Sequence, residues 1–169
     1  TPPFSHRRIV ESSLEFGSIS TFTESWASIG NSHVQFFNLE FDGAFSNTIN
    51  DSAWIGVGLR SQHPFANFGH ILYLKYDGSI IITEPDEQPP NYYSDKTLRN
   101  PVQMNTSSFH HFQIQFSPQR LIVGIDDFLD QKEIINFAKV FGNGLVRFQS
   151  WLSWMRISNI KISLIKQNE

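Results

Sequence analysis

Residues 112–126, FQIQFSPQRLIVGID, indicate the fold class most directly. Phe112, Ile114 and Phe116 alternate with two glutamines, and after a four-residue turn the apolar residues of 121–125 resume the same period of two. Successive side chains of a β-strand point to opposite faces, so this stretch predicts an antiparallel hairpin with one buried face. A second hairpin is predicted around Asp77 and Gly78, because an Asp-Gly pair between apolar runs favours a type I′ turn.

Short segments with strand character continue through most of the chain. Strands are predicted at 34–41, 54–60, 145–150 and 155–165, and the nearest helical pattern, 131–139, is short and lies between two strands. The 16 Phe agree, since aromatic side chains pack well on pleated surfaces. Antiparallel strands without crossover helices predict an all-β fold: a two-sheet β-sandwich of the jelly-roll type, with a closed barrel as the alternative. Residues 84–101 hold four prolines and are predicted to form a long surface loop.

Length and charge limit what the chain binds. Its 169 residues predict a single domain, 1–169, and because the first residue is Thr1 we expect a module of a longer or processed protein. A net charge of −3 is too small to attract nucleic acid. The apolar runs are far shorter than the roughly 20 residues that span a bilayer, so no membrane insertion is expected. Glycosylation acceptor patterns at 50–52 and 105–107 agree with an extracellular or cell-surface location.

Several segments together resemble the concanavalin A-like lectin and glucanase superfamily, in particular laminin G-like jelly rolls and fructan-binding carbohydrate-binding modules. The resemblance lies in residues 53–60, where small residues precede an arginine, in the hairpin 70–82, and in the closing strands 109–126 and 144–162. It implies the sandwich fold. Acidic residues accompany such an arginine in similar fructan-binding modules, and this implies a role for Glu84 beside Arg60.

The strand 54–60 supplies the first candidate binding surface. Trp54, Gly56, Gly58 and Arg60 share one face of this strand, while the intervening apolar residues point to the predicted core. We expect the shared face to lie outward, with the glycines leaving a shallow floor for a sugar and the Arg60 guanidinium donating hydrogen bonds to hydroxyls. The alternative is that Arg60 pairs with a carboxylate on a solvated sheet face.

Aromatic side chains are the second expected part of a sugar site, because the apolar face of a sugar ring stacks on an aromatic plane. Tyr92 and Tyr93 in the proline-rich segment, and Trp151 and Trp154 near the last turn, are the candidates. The predicted ligand-binding residues are Arg60, Glu84, Trp54, Tyr92, Tyr93 and Trp154.

The histidines do not predict a metal site. His110 and His111 are adjacent, so in a strand they face opposite sides, and the chain has no cysteine. Asp126, Asp127 and Asp130 follow a strand and are weak candidates for calcium, although a turn with solvated carboxylates is the more common outcome. Calcium is therefore the sole cofactor candidate.

No motif predicts catalysis. The glucanases of the superfamily carry a Glu-x-Asp-x-x-Glu pattern on one strand, and this sequence has none, nor a Gly-x-Ser-x-Gly elbow. We therefore expect a non-catalytic carbohydrate-binding module, with a glycan and other domains of the parent protein as partners. The alternatives are a laminin G-like protein-interaction domain and a glycoside hydrolase that uses Glu40 or Asp42 with Glu84.

Overall fold

The computed structural model describes residues 5–18, 25–28, 36–48, 52–61, 70–76, 79–85, 93–98, 108–117, 120–126, 133–136 and 145–165. Thirteen β-strands occupy these ranges, and none of these residues belongs to a helix that could cross a membrane. The strands are β1 (Ser5–Val10), β2 (Ser13–Ser18), β3 (Ser25–Ser28), β4 (Phe37–Thr48), β5 (Trp54–Ser61), β6 (His70–Lys75), β7 (Ile80–Pro85), β8 (Tyr93–Leu98), β9 (His110–Ser117), β10 (Arg120–Ile125), β11 (Glu133–Asn136), β12 (Leu145–Trp151) and β13 (Ser153–Leu164).

The strands form two antiparallel sheets. The seven-stranded sheet has the order β1-β2-β13-β4-β9-β10-β11, and the six-stranded sheet has the order β3-β12-β5-β6-β7-β8. Both predicted hairpins are present, as the pairs β9–β10 and β6–β7. The predicted all-β sandwich is therefore confirmed, with two sheets rather than one closed barrel.

Phenylalanines fill the space between the sheets. Phe41 of the seven-stranded sheet stacks on Phe112 at 4.9 Å between ring centroids, and it meets Phe148 of the six-stranded sheet edge-on at 4.8 Å. All three rings are buried. The core thus consists of the inner faces of both sheets, and the alternate residues of each strand lie on the outer faces.

Two edge strands lie in segments for which the sequence did not predict a strand. Residues 84–101 were predicted to be loop, but β8 lies within them and pairs with β7 at the edge of the six-stranded sheet. Residues 131–139, with the nearest helical pattern, contain β11 at the edge of the other sheet. An edge strand needs one neighbour only, so it requires no long alternating run, and the four prolines fall outside β8.

Candidate functional site

The outer face of the six-stranded sheet carries the first predicted site residues. Ile55 and Val57 of β5 are buried in the core, so Trp54, Gly56 and Gly58 lie on the opposite, outward side of that strand. The neighbouring strands β6 and β12 place their own outward residues beside these. Side chains from three strands therefore meet on this face.

Three aromatic rings pack together on this face, and we call Trp54, Tyr73 and Trp151 the aromatic cluster. Trp151 of β12 lies directly across from Trp54, with 6.4 Å between their ring centroids, and Tyr73 of β6 meets Trp54 edge-on at 4.7 Å. Trp54 is only 8% exposed, whereas Tyr73 and Trp151 are half-buried. The cluster thus has a covered centre and two outer rings that reach the surface.

A buried polar pair lies beside the aromatic cluster on β12. With the Gln149 amide oriented so that its oxygen faces Arg147, that oxygen accepts hydrogen bonds from Nη2 at 2.7 Å and from Nε at 2.8 Å. Arg147 is 2% exposed and Gln149 is 1% exposed, although both alternate with the core residues Val146 and Phe148. These two side chains are therefore covered on the outer face of the sheet.

The glycines of β5 do not form the open floor that the sequence predicted. A Cβ atom at Gly58 would lie 2.9 Å from Cγ of Arg147, and one at Gly56 would lie 3.2 Å from the Trp54 ring. The side chains of Trp54 and Arg147 lie over these glycines. Glycine is needed here to admit neighbouring side chains of the protein, not to bring a ligand to the backbone.

The other predicted contacts divide into two groups. The backbones of Arg60, Glu84 and Tyr93 belong to β5, β7 and β8 of the same sheet, but their side chains, and the whole of Tyr92, lie outside the described part of the molecule. Trp154 alternates with core residues of β13 and so lies on the outer face of the seven-stranded sheet. Its grouping with Trp54 was wrong, because the two sheets turn their outer faces in opposite directions.

The carboxylate pairs considered for hydrolysis do not come together. Glu40 and Asp42 alternate with buried core residues of β4, so both point outward from the seven-stranded sheet, whereas Glu84 belongs to β7 of the six-stranded sheet. The core separates β7 from the outward side of β4. Glu84 therefore cannot flank one glycosidic bond together with either carboxylate.

The two histidines lie on opposite faces, as the sequence predicted. His110 is buried and shares a 2.8 Å contact with Asp126 through its Nδ1, and the Asp126 carboxylate also accepts the backbone N–H of His111 at 2.8 Å. No group of three or more His, Asp or Glu suited to a metal occurs among the described residues, and Asp127 and Asp130 lie outside them. Both oxygens of the Asp126 carboxylate thus bind groups of the protein, the imidazole of His110 and the backbone N–H of His111.

Asp42 occupies a network of its own on the outer face of the seven-stranded sheet. A 2.7 Å hydrogen bond joins Nδ1 of His111 to its carboxylate, and Asn159 donates to the second oxygen. Partial burial raises the pKa of Asp42, but the hydrogen bonds from Asn159 and His111, with the charges of His111 and Lys161, outweigh that effect and lower it overall. Both Asp42 oxygens are therefore committed to neighbouring side chains.

No family model and no curated protein matches this sequence. Solved structures do match. The carbohydrate-binding module CBM66 from Bacillus subtilis aligns with a TM-score of 0.71 and 13% identity, over 94% of this chain and 91% of that one. A legume lectin-like domain from Entamoeba histolytica aligns with a TM-score of 0.65 and 12% identity, over 96% of this chain and 88% of that one. The chain has the concanavalin A-like jelly-roll fold.

In a third match, the aligned region is a small part of a much larger protein. A sialidase aligns with a TM-score of 0.69 and 13% identity over 98% of this chain, which corresponds to only 16% of the sialidase. At such low identity the likeness concerns the fold alone.

Three residues beside Trp54 were not among the predicted ligand-binding residues. Tyr73, Arg147 and Gln149 join Trp54 through strand pairing, although β12 lies about ninety residues after β5 in the chain. The sequence did predict a strand at 145–150, and in β12 Arg147, Gln149 and Trp151 alternate with apolar or small residues. That period of two predicts a shared face, but it does not tell which strand lies beside it.

Proposed function

We propose that this domain is a non-catalytic carbohydrate-binding module that binds a poly- or oligosaccharide on the outer face of its six-stranded sheet. The observation that carries the proposal is the aromatic cluster with the Arg147–Gln149 pair beside it. The fold likeness to a carbohydrate-binding module and to a lectin-like domain supports it. We further propose that the domain acts outside the cell as an accessory module of a longer protein.

The aromatic cluster has the chemistry that a sugar ring requires. A sugar presents an apolar C–H face, which stacks on an aromatic plane, and hydroxyls at its edge, which need polar partners. The half-buried rings of Tyr73 and Trp151 offer the planes, while Trp54 between them holds both in place. Lys75 lies directly across from Trp54 on β6, and we propose that its side chain donates to sugar hydroxyls at this end of the cluster.

Arg147 and Gln149 have a positioning role in this proposal. Both are too well buried to touch a ligand, but their hydrogen bonds fix the outward face of β12, where Trp151 also lies. A rigid platform reduces the entropy that binding would otherwise cost. On the same sheet, we propose that Arg60 of β5 and Tyr93 of β8, with Tyr92 before it, extend the site toward the β8 edge. Glu84 is left out of this extension, because its position in β7 has the parity of the core residues Ile80 and Ile82.

The test is calorimetric titration with soluble polysaccharides, using inulin, levan, laminarin, xylan and mixed-linkage glucan. Trp151→Ala removes one stacking plane, and we expect it to weaken binding about tenfold, which corresponds to about 1.4 kcal/mol. Tyr73→Ala should act in the same direction. Thermal unfolding of each variant separates a loss of contact from a loss of fold.

Phe109→Ala is the matched control, because Phe109 is also exposed and aromatic but packs against Arg156 of the other sheet, with 5.4 Å from the guanidinium carbon to the ring centroid. It should leave the affinity unchanged. The proposal is refuted if no polysaccharide binds the wild-type domain, or if the cluster variants fold and bind as tightly as the wild type.

A further inference from the structure

A second surface with binding chemistry lies on the outer face of the seven-stranded sheet. It is a groove of about 160 Å³, which we call the polar groove, lined by Asn38, Leu39, Glu40, Gln113, Ile114, Gln115 and Ile122. The core separates it from the aromatic cluster. The two surfaces therefore belong to opposite sides of the sandwich.

Strand pairing sets four polar side chains at the corners of the polar groove. Asn38 of β4 lies directly across from Gln115 of β9, and Glu40 lies directly across from Gln113. Residues two apart in a strand are separated by about 6.7 Å, and directly paired Cα atoms by about 5 Å. Ile122 of β10, opposite Gln115, adds an apolar wall. The groove thus combines polar residues at fixed backbone positions with one apolar side.

The polar side chains of this array have hydrogen-bonding capacity to offer. In the ranges that the structure describes, the amide groups of Asn38, Gln113 and Gln115 make no side-chain hydrogen bond to the protein, and the nearest cation to Glu40 is Lys161 at 4.0 Å. The adjacent Asp42 differs, because both of its oxygens are already bonded. A ligand in the groove would meet three amides, which both donate and accept, and one acceptor carboxylate.

We propose that the polar groove is a second binding site, one that takes one or two units of a neutral polyhydroxylated chain such as a glycan. Hydroxyl groups both donate and accept hydrogen bonds, as the amides do, and the Glu40 carboxylate accepts from hydroxyls. A single lysine beside that carboxylate gives no positive excess for an anionic ligand. The volume is below the 300–1,000 Å³ of sites that enclose drug-sized ligands, so only part of a chain would be held.

The experiment is NMR titration of the ¹⁵N-labelled domain with the pentasaccharides of cellulose, laminarin, xylan and inulin. The side-chain amide signals of Gln113 and Gln115 report on the polar groove, and the indole N–H signals of Trp54 and Trp151 report on the aromatic cluster. We expect at least one pentasaccharide to shift both amide signals saturably. These shifts should persist in Trp151→Ala.

Gln113→Ala should lower the affinity for the pentasaccharide, measured from the shift of the Gln115 amide, by about tenfold. Gln115→Ala, which truncates an exposed side chain, should lower the affinity measured from the Gln113 amide by the same factor. Asn47→Ala removes another exposed amide from β4 outside the groove and should change nothing. Binding that survives both glutamine variants would overturn the proposal.

The two surfaces can fail separately. If the indole signals shift and the amides do not, the polar groove is not a binding site, while the proposed function stands. If the amide shifts disappear in Trp151→Ala, the chain has one site and the inference is wrong. If only the amides shift, the polar groove is supported and the aromatic cluster is refuted as the site.

Discussion

The Gly58→Ala substitution tests the closest contact of the candidate site. The added methyl group would lie 2.9 Å from Cγ and 3.2 Å from Nε of Arg147, and the first of these distances is shorter than real Cβ contacts allow. Arg147 is almost fully buried, so its side chain has little room to move aside. We therefore expect the substitution to displace the guanidinium from Gln149.

Two opposing effects set the size of the change. Overpacking a well-filled site costs about 1–3 kcal/mol, and hydrogen bonds to a charged group contribute about 1.5–3 kcal/mol. These two costs do not add, because moving the guanidinium relieves the overlap but gives up its hydrogen bonds, whereas keeping the hydrogen bonds keeps the overlap. The lower entropy of the unfolded chain offsets about 0.4–1 kcal/mol. The expected net loss is about 1–2 kcal/mol, which lowers the Tm of a domain of this size by about 2–8 °C.

A double-mutant cycle with Arg147→Ala checks the cause. In the Arg147→Ala background the methyl group enters space that the arginine has left, so Gly58→Ala should cost nothing, and the coupling measured by urea unfolding should be about 1 kcal/mol or more. Gly56→Ala is the comparison, because the atoms nearest to its added methyl group belong to Trp54 and Leu72, and its cost should not depend on residue 147. An equal cost of Gly58→Ala in both backgrounds would show that the Arg147 side chain does not cause the loss of stability.

Two further predictions concern the seven-stranded sheet. Gly17→Ala places a Cβ atom in conflict with the backbone oxygen of Ser153, so β2 and β13 must separate. We expect a loss at the upper end of the about 1–3 kcal/mol that overpacking costs, measured by urea unfolding, and a loss below about 1 kcal/mol would contradict this contact. Asp42 has a lowered pKa in the folded state, so its hydrogen bonds with Asn159 and His111 stabilise the fold above the usual aspartate pKa and lose this effect as the pH falls through the lowered pKa. The difference in unfolding free energy between the wild type and Asp42→Asn should therefore shrink between pH 7 and about pH 3, and a constant difference would exclude this role.

The parts of the fold that the sequence predicted are those with a local signal. Phe112, Ile114 and Phe116 alternate with polar residues because one face of β9 is buried in the core, and the structure buries all three. β4 extends seven residues beyond the predicted end at Phe41, to Thr48. Gly43 and Ala44 interrupt the alternation in this extension, and both are buried with Phe45. Where consecutive residues on both sides of a strand are buried, apolar and polar residues no longer alternate, and the prediction depends on that alternation.

The candidate site was predictable only in part, for a related reason. The alternation in β5 placed Trp54 and its glycines on one face, which the structure confirms. It could not show that Arg147 would lie over Gly58, because that contact joins strands far apart in the chain. A glycine in a strand indicates a close approach by some group. The sequence does not tell whether that group is a ligand or another side chain.

The sandwich architecture gives the two proposed surfaces different chemistry on rigid supports. Each surface lies on strands whose inner faces are buried in one shared core, so the backbone that carries it is held in place before any ligand arrives. Because packed sheets are about 10 Å apart and solid between, one stretch of glycan cannot lie on both outer faces at once. Two occupied surfaces would therefore hold two glycan chains, or two distant segments of one glycan chain.

When one glycan chain occupies both surfaces, the second contact becomes intramolecular, which strengthens the attachment to a polymer far more than the attachment to a short oligosaccharide. A domain with both surfaces should accordingly bind a polysaccharide much more tightly than the pentasaccharide of the same linkage, and the loss of either surface should remove that difference.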